Sequence, residues 1–169
     1  LVVSNVKDAY ALERAHKHDL EGLFLDPKSY PDRNSYEQDL MEKIQSKSVD
    51  LICLAGYMRI LGKHFIEAFS DRIINIHPSL LPAFPGLNVQ KRALEHGARF
   101  SGCTVHYVNE KVDGGAIISQ AVVPIFDEDD EASLSERILE QEHIIYPEAI
   151  RLILEDKLTL TGRRVLHNK

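Results

Sequence analysis

Asn75-Ile76-His77-Pro78 sets an amide and an imidazole two residues apart at the end of the apolar run Arg72–Ile76. If that run is a strand, its period of two sends both side chains to one face. Ligands collect outside the carboxyl ends of strands in open α/β sheets. An amide donor and an imidazole meeting there suit a reaction that builds negative charge on an oxygen and takes a proton from a nitrogen. Read alone, the same residues also fit a strand-exit cap and a hydrogen-bonded core histidine. The segment Pro78–Gly86 holds three prolines in nine residues, so its backbone is largely preset. A stiff loop serves equally as a binding wall or as a connection.

Asp113-Gly114-Gly115 is the second candidate. Paired glycines allow φ > 0 or a close backbone approach, and the acid before them can orient a histidine, although a hairpin needs such a turn anyway. A carboxylate beside an imidazole favours the imidazolium, so a His77–Asp113 pair would present a cationic donor. Thr104 and His106 share one strand face, and His106 either lines the same cavity or packs. A two-His-one-carboxylate metal site from His77, His106 and Asp113 is the rival reading; no metal is expected. Glu142 and His143 point in different directions on a helix. The five acids Asp127–Glu131 lack the spaced ligand pattern of a calcium loop and read as solvated.

The elements that must position these residues alternate. Leu1–Ser4 reads as a strand, Lys7–His18 as a helix with Ala9, Leu12 and Ala15 on one face, and Gly22–Leu25 as a strand, giving a β-α-β unit. Tyr36, Leu40 and Ile44 mark the apolar side of the next helix. Leu51–Ala55 is a continuous apolar run of the kind found in strands covered on both faces. A short helix follows around Phe65–Phe69, then the strand that ends at His77. Another helix is expected near Val89–His96, and Phe100–Val108 with Ile117–Pro124 can form a hairpin. Ser133-Leu134-Ser135-Glu136 matches a capping box, and Pro147 should kink or split the helix it opens. The alternation predicts an α/β fold: a Rossmann-like, mostly parallel sheet with helices on both faces and an antiparallel hairpin in the C-terminal half.

The chain has 169 residues, enough for one domain that buries ~70% of its unfolded surface. Its net charge of −6 opposes broad binding to nucleic acid or to an anionic membrane. No apolar run approaches the ~20 residues of a spanning helix. Cys53 and Cys103 form no CxxC pair, and a reducing cytosol is the simplest address. Nothing in the composition speaks to oligomeric state, and a homodimer is left open.

Taken in order, Asn75-x-His77-Pro78-Ser79-Leu80-Leu81-Pro82, Asp113-Gly114-Gly115 and Gln141-Glu142-His143-x-Ile145-Tyr146-Pro147 resemble the phosphoribosylglycinamide formyltransferase family. Ser4-Asn5, Leu12–Ala15, Ala55–Leu61 and Pro85-Gly86-Leu87 also look like its segments, so the likeness runs nearly end to end. The resemblance implies a formyltransferase fold and transfer of a formyl group from the co-substrate 10-formyltetrahydrofolate to the amine of glycinamide ribonucleotide, both small molecules. It makes Asn75, His77 and Asp113 the catalytic trio. It assigns Met58, Arg59, Ile60, Leu61, Gly86, Leu87, Thr104, His106, Val108 and Val112 to the folate pocket, and Pro78 and Glu142 to the ribonucleotide. Arg59, Lys63, Lys91 and Arg92 are the basic residues nearest the motifs that an anionic folate tail would meet. Family members open with a strand and a Gly-Asn-Gly-Ser-Asn-type loop that cradles phosphate at a helix N-terminus, which has no counterpart here. The expectation is therefore one formyltransferase domain over 1–169, short of about one N-terminal βα unit of ~30 residues. The related formyltetrahydrofolate deformylase usually carries a second histidine where Pro78 stands, so Pro78 favours the transferase.

Overall fold

The computed structural model describes residues 1–168, which form two compact units. The first takes Leu1–Asp50 and Leu61–Ala68. Its strand β1 (Val2–Ser4), helix α1 (Tyr10–Lys17) and strand β2 (Gly22–Phe24) make the expected β-α-β unit, with β1 and β2 parallel from Val2↔Gly22 to Ser4↔Phe24. Helix α2 (Arg33–Gln45) begins where Asp32 Oδ1 accepts the Ser35 N–H at 2.8 Å. Tyr36, Leu40 and Ile44 are buried, as their spacing requires. Glu37 is buried with them, and both its oxygens accept the Gly62 N–H at 3.0 Å, one residue before helix α3 (Lys63–Ala68).

The second unit takes Leu51–Ile60 and the chain from Phe69 onward. Strands β3 (Ile52–Leu54), β4 (Ile73–His77), β5 (Phe100–Tyr107) and β6 (Ile117–Pro124), with β7 (Leu158–Thr161) and β8 (Arg164–His167), form a six-stranded sheet in the order β3-β4-β5-β6-β8-β7. The sheet is mixed. Strands β3 and β4 are parallel, as are β6 and β8, whereas β4–β5, β5–β6 and β7–β8 are antiparallel. The hairpin of β5 and β6 is the expected one. The hairpin of β7 and β8 had not been anticipated, although Leu158-Thr159-Leu160-Thr161 alternates in polarity and Gly162 supplies its turn at φ +60°. Strand β3 departs from expectation, because Cys53 is exposed and only Ile52 and Leu54 are half-buried, so the apolar run is not covered on both faces.

Strand β5 is buried at every position from Ser101 to His106 and therefore has two covered faces. Cys103 and Val105 point to helix α5 (Glu131–Leu154) and pack in clusters with Leu134, Ile138, Ile74 and Ala149. Gly102, Thr104 and His106 point the other way. Helix α5 starts earlier than its sequence pattern suggested. Its cap is Asp130, which accepts the Ser133 N–H at 2.8 Å, while Ser133 Oγ accepts the Asp130 N–H at 3.1 Å, so Ser133 is the third helical residue of the box and not its cap. Pro147 does not split the helix. Pro147 and His143, the residue whose carbonyl loses its usual donor, are both exposed, where water can replace the missing bond. Among the described residues no helix is long and apolar enough to cross a membrane.

The acidic run is spent on structure. Asp130 caps α5, Asp127 pairs with Arg99 at 2.6 Å, and Asp129 holds Arg137 at 2.7 Å while accepting the Phe126 N–H at 2.8 Å. The Arg137 bonds, followed by the Phe126 N–H, hold the Asp129 carboxyl well below the usual carboxylate range. A depressed carboxylate contributes stability that is present above its unfolded value and lost as the pH falls through its folded one. Asp129→Asn should therefore flatten the acid side of the stability–pH curve below about pH 4 relative to the wild type, measured by urea unfolding at stepped pH. Leu134, fully buried against the sheet, should cost about 2–5 kcal/mol when cut to alanine. Leu139→Ala, five residues on and on another face of the helix, should stay within about 0.5 kcal/mol in the same titration.

Candidate active site

The register of β4 against β5 sets Asn75 opposite His106 and His77 opposite Thr104. All four side chains thus lie on the sheet face away from α5, as the spacing of Asn75 and His77 predicts. Strand β4 packs Ile74 and Ile76 against the α5 side. His77, Thr104 and His106 are each at most 5% exposed, so every polar atom on this face needs a partner.

Two backbone carbonyls decide the states of the two rings. His106 Nδ1 lies 2.8 Å from Tyr107 O and must donate to it, which leaves Nε2 as a lone pair that accepts from Asn75 Nδ2 at 3.3 Å. Burial pushes the His106 ring below the usual histidine range, in keeping with a neutral ring. His77 Nε2 lies 3.0 Å from Phe84 O and must donate there, while its Nδ1 faces Asp113 Oδ2 at 3.5 Å. Both nitrogens of His77 therefore face acceptors. Asp113 Oδ1 also stands 3.8 Å from His106 Nε2.

Asp113 comes from the β5–β6 connection, and the loop between β4 and helix α4 (Val89–Glu95) is tied to it. The Gly86 N–H donates to Asp113 Oδ2 at 2.7 Å. Asp113 itself takes the left-handed conformation at φ +50°, and neither of the glycines behind it does so. Their role is space: a Cβ on Gly115 would collide with the Tyr107 carbonyl, so this glycine serves a close backbone approach and not a ligand. Across the loop, Phe84 is also left-handed at φ +50°, an unusual state for a bulky residue and more so before a proline. That turn aims its carbonyl at His77.

The loop is fastened from below. Ser79, 1% exposed, donates its hydroxyl to Ala83 O at 2.6 Å. Thr104 donates to Ser79 O at 2.6 Å, and its oxygen accepts from the Leu81 N–H at 3.1 Å and from Gln120 Nε2 at 2.9 Å. Gln120 also donates to Leu81 O at 2.9 Å. Thr104 is thus committed to holding the loop. Phe84, Ser79 and Gln120 escaped the sequence reading; a carbonyl has no residue type to read, but Ser79 lies inside the motif.

The remaining expected positions divide. Gly86 and Asp113 meet directly, which brings the exposed side chains of Leu87 and Val112 to neighbouring backbone. Met58 and Ile60 are exposed beyond β3, with Arg59 between them also exposed. Leu61 is buried in the core of the first unit. Val108 continues from β5 and donates its N–H to Ile73 O, and Pro78 is half-buried directly after His77. Glu142 lies on α5, where burial pushes its carboxyl up and its charge helps burial raise the Cys103 thiol to about 12. Cys103 points away from the face that carries the trio, so the structure does not bring Glu142 to those three side chains. Among the described residues, no group of three or more His, Cys, Asp and Glu could hold a metal ion.

Residues 1–150 match the family described as formyl transferase. The phosphoribosylglycinamide formyltransferase of Haemophilus influenzae is 46% identical over 159 residues, 94% of this chain and 75% of the relative. The trifunctional purine biosynthetic protein adenosine-3 of Drosophila pseudoobscura pseudoobscura is 49% identical over 94% of this chain, which spans only 12% of that protein. The crystal structure of glycinamide ribonucleotide transformylase 1 from Symbiobacterium toebii superposes with a TM-score of 0.97 at 52% identity, over 99% of this chain and 79% of that one. The resemblance carried by the three motifs is borne out along nearly the whole length: the chain belongs to the formyl transferase family.

Proposed function

We propose that the chain carries the transfer of a formyl group from 10-formyltetrahydrofolate to the primary amine of glycinamide ribonucleotide, with Asn75, His77 and Asp113 as the catalytic residues. The observation that carries this reading is that Asn75 and His77 share one face of β4 while Asp113, from the β5–β6 connection, stands 3.5 Å from His77 and 3.8 Å from His106, the ring that Asn75 meets. The names of the relatives support formyl transfer to glycinamide ribonucleotide, and the folate donor rests on the family resemblance.

In such a transfer the amine attacks the formyl carbon, giving a tetrahedral species with charge on oxygen and a proton to lose from nitrogen; the species then collapses, the bond from the formyl carbon to the folate nitrogen breaks, and that nitrogen takes up a proton to leave as tetrahydrofolate. Asn75 Nδ2 spends one hydrogen on His106 and keeps the other for that oxygen. His77 is anchored through Nε2, and its Nδ1–H, only loosely held at 3.5 Å, is the one a developing oxyanion can share. Catalytic hydrogen bonds that are long in a free enzyme commonly tighten around the transition state. Asp113 balances the charge on the imidazole and, directly or through one water, takes the amine proton; its position, only 12% exposed, keeps that attraction strong. The exposed Met58, Ile60, Leu87 and Val112 supply the apolar contacts that a flat heterocycle such as a folate ring would bury. Pro78 and Glu142 stand as ribonucleotide contacts on the strength of their motifs alone.

Asp113→Asn in the full-length protein should lower kcat by about 100-fold or more, the range of general acid–base catalysis. A loss below about tenfold, ~1.4 kcal/mol, would remove the carboxylate from the mechanism. Formate release in water without the amine would instead point to a deformylase; the transferase reading expects turnover only when the amine acceptor is present.

A further inference from the structure

We infer that Arg92, on α4, is a positioning residue for His77 and Asp113, acting through the loop between them, an assignment that rests on the proposed transfer reaction. Arg92 touches none of the reacting groups. Its Nη1 donates to Pro85 O at 2.5 Å and lies 3.4 Å from Leu87 O, so one guanidinium grips the carbonyls on either side of Gly86. Gly86 is the residue whose N–H holds Asp113. The same guanidinium sits 5.7 Å from the centroid of the Phe84 ring, a cation–π distance, and Phe84 is the residue whose carbonyl holds His77. That ring also meets His96 edge-on at 5.8 Å, and an open groove of about 610 Å³ is lined by Ala83, Phe84, Arg92, Glu95 and His96.

The loop needs such a brace. Left-handed Phe84 directly before Pro85 is strained backbone, which persists only where surrounding contacts over-determine it. Ser79 fixes the N-terminal side of that turn, through Ala83 O. Arg92 fixes the C-terminal side, its single Nη1 making charge-assisted bonds to both carbonyls.

The test compares wild type, Arg92→Ala and Arg92→Lys in the full-length enzyme, with steady-state kinetics, thermal unfolding and the nitrogen-15 signals of the His77 ring. Alanine should lower kcat about five- to tenfold with both KM values within about twofold, because misplaced groups weaken the chemical step more than binding. The His77 signals should shift, the unfolding midpoint should move by only a few degrees, and lysine should restore part of kcat. Unchanged kcat, a rise in the KM of the formyl donor alone, or unshifted His77 signals would each overturn the assignment. Absence of transfer in the wild type would sink the reaction and not the brace, which the His77 signals test independently.

Discussion

The carboxylate of Asp113 is the knot that the site depends on. It accepts a backbone N–H from Gly86 and faces both His77 and His106, so one group joins the β4–α4 loop, the β5–β6 connection and two strands. A carboxylate so little exposed is stable only while its lone pairs have donors. That demand explains local choices that look unfavourable in isolation: the positive φ of Asp113, of Phe84 and of Gly86. Each concession in the backbone brings a donor or an acceptor to this one charge and its histidine partners.

The sheet makes such concessions affordable by dividing its faces. On one side Ile74, Cys103, Val105, Leu134, Ile138 and Ala149 form an apolar seam with α5 whose burial is non-directional and worth on the order of 10 kcal/mol in total. The other side holds a polar network that contributes little net stability but fixes geometry, because a missing partner would leave a buried polar group unmet. Thr104 shows this most clearly. With a buried hydroxyl serving Ser79, Leu81 and Gln120, it registers the loop against β5 and β6.

What could be read from the residues follows the same division. The apolar seam repeats with the period of its elements, so α2, β4, the β5–β6 hairpin and α5 were legible, and period two placed Asn75 and His77 together. Asp113 came into view through its motif and through the chemistry of a carboxylate near an imidazole. The rest is written in backbone. Phe84 acts through its carbonyl and Gly86 through its N–H, and neither atom depends on residue type. Pro147 does not split its helix because the carbonyl it frees, at exposed His143, can meet water, and Ser133 misled because Asp130 takes the cap three residues earlier. The β7–β8 hairpin carried its signal in plain alternation, and the turn at Gly162 marked it.

His77 and His106 are nearly equal in burial and stand on neighbouring strands of one face, yet their partners impose opposite states. A carbonyl on Nδ1 and an amide donor on Nε2 suit only a neutral ring at His106. At His77 a carbonyl stands at Nε2 and a carboxylate at Nδ1, so both nitrogens face acceptors. Asp113 thus stands 3.5 Å from His77 and 3.8 Å from the lone pair of His106, and hydrogen-bond chemistry more than distance pairs it with His77. The neutral ring has its own use, since by accepting from Asn75 it fixes which way the amide turns. One histidine orients a donor and the other is a donor, and the difference between them originates in two main-chain oxygens.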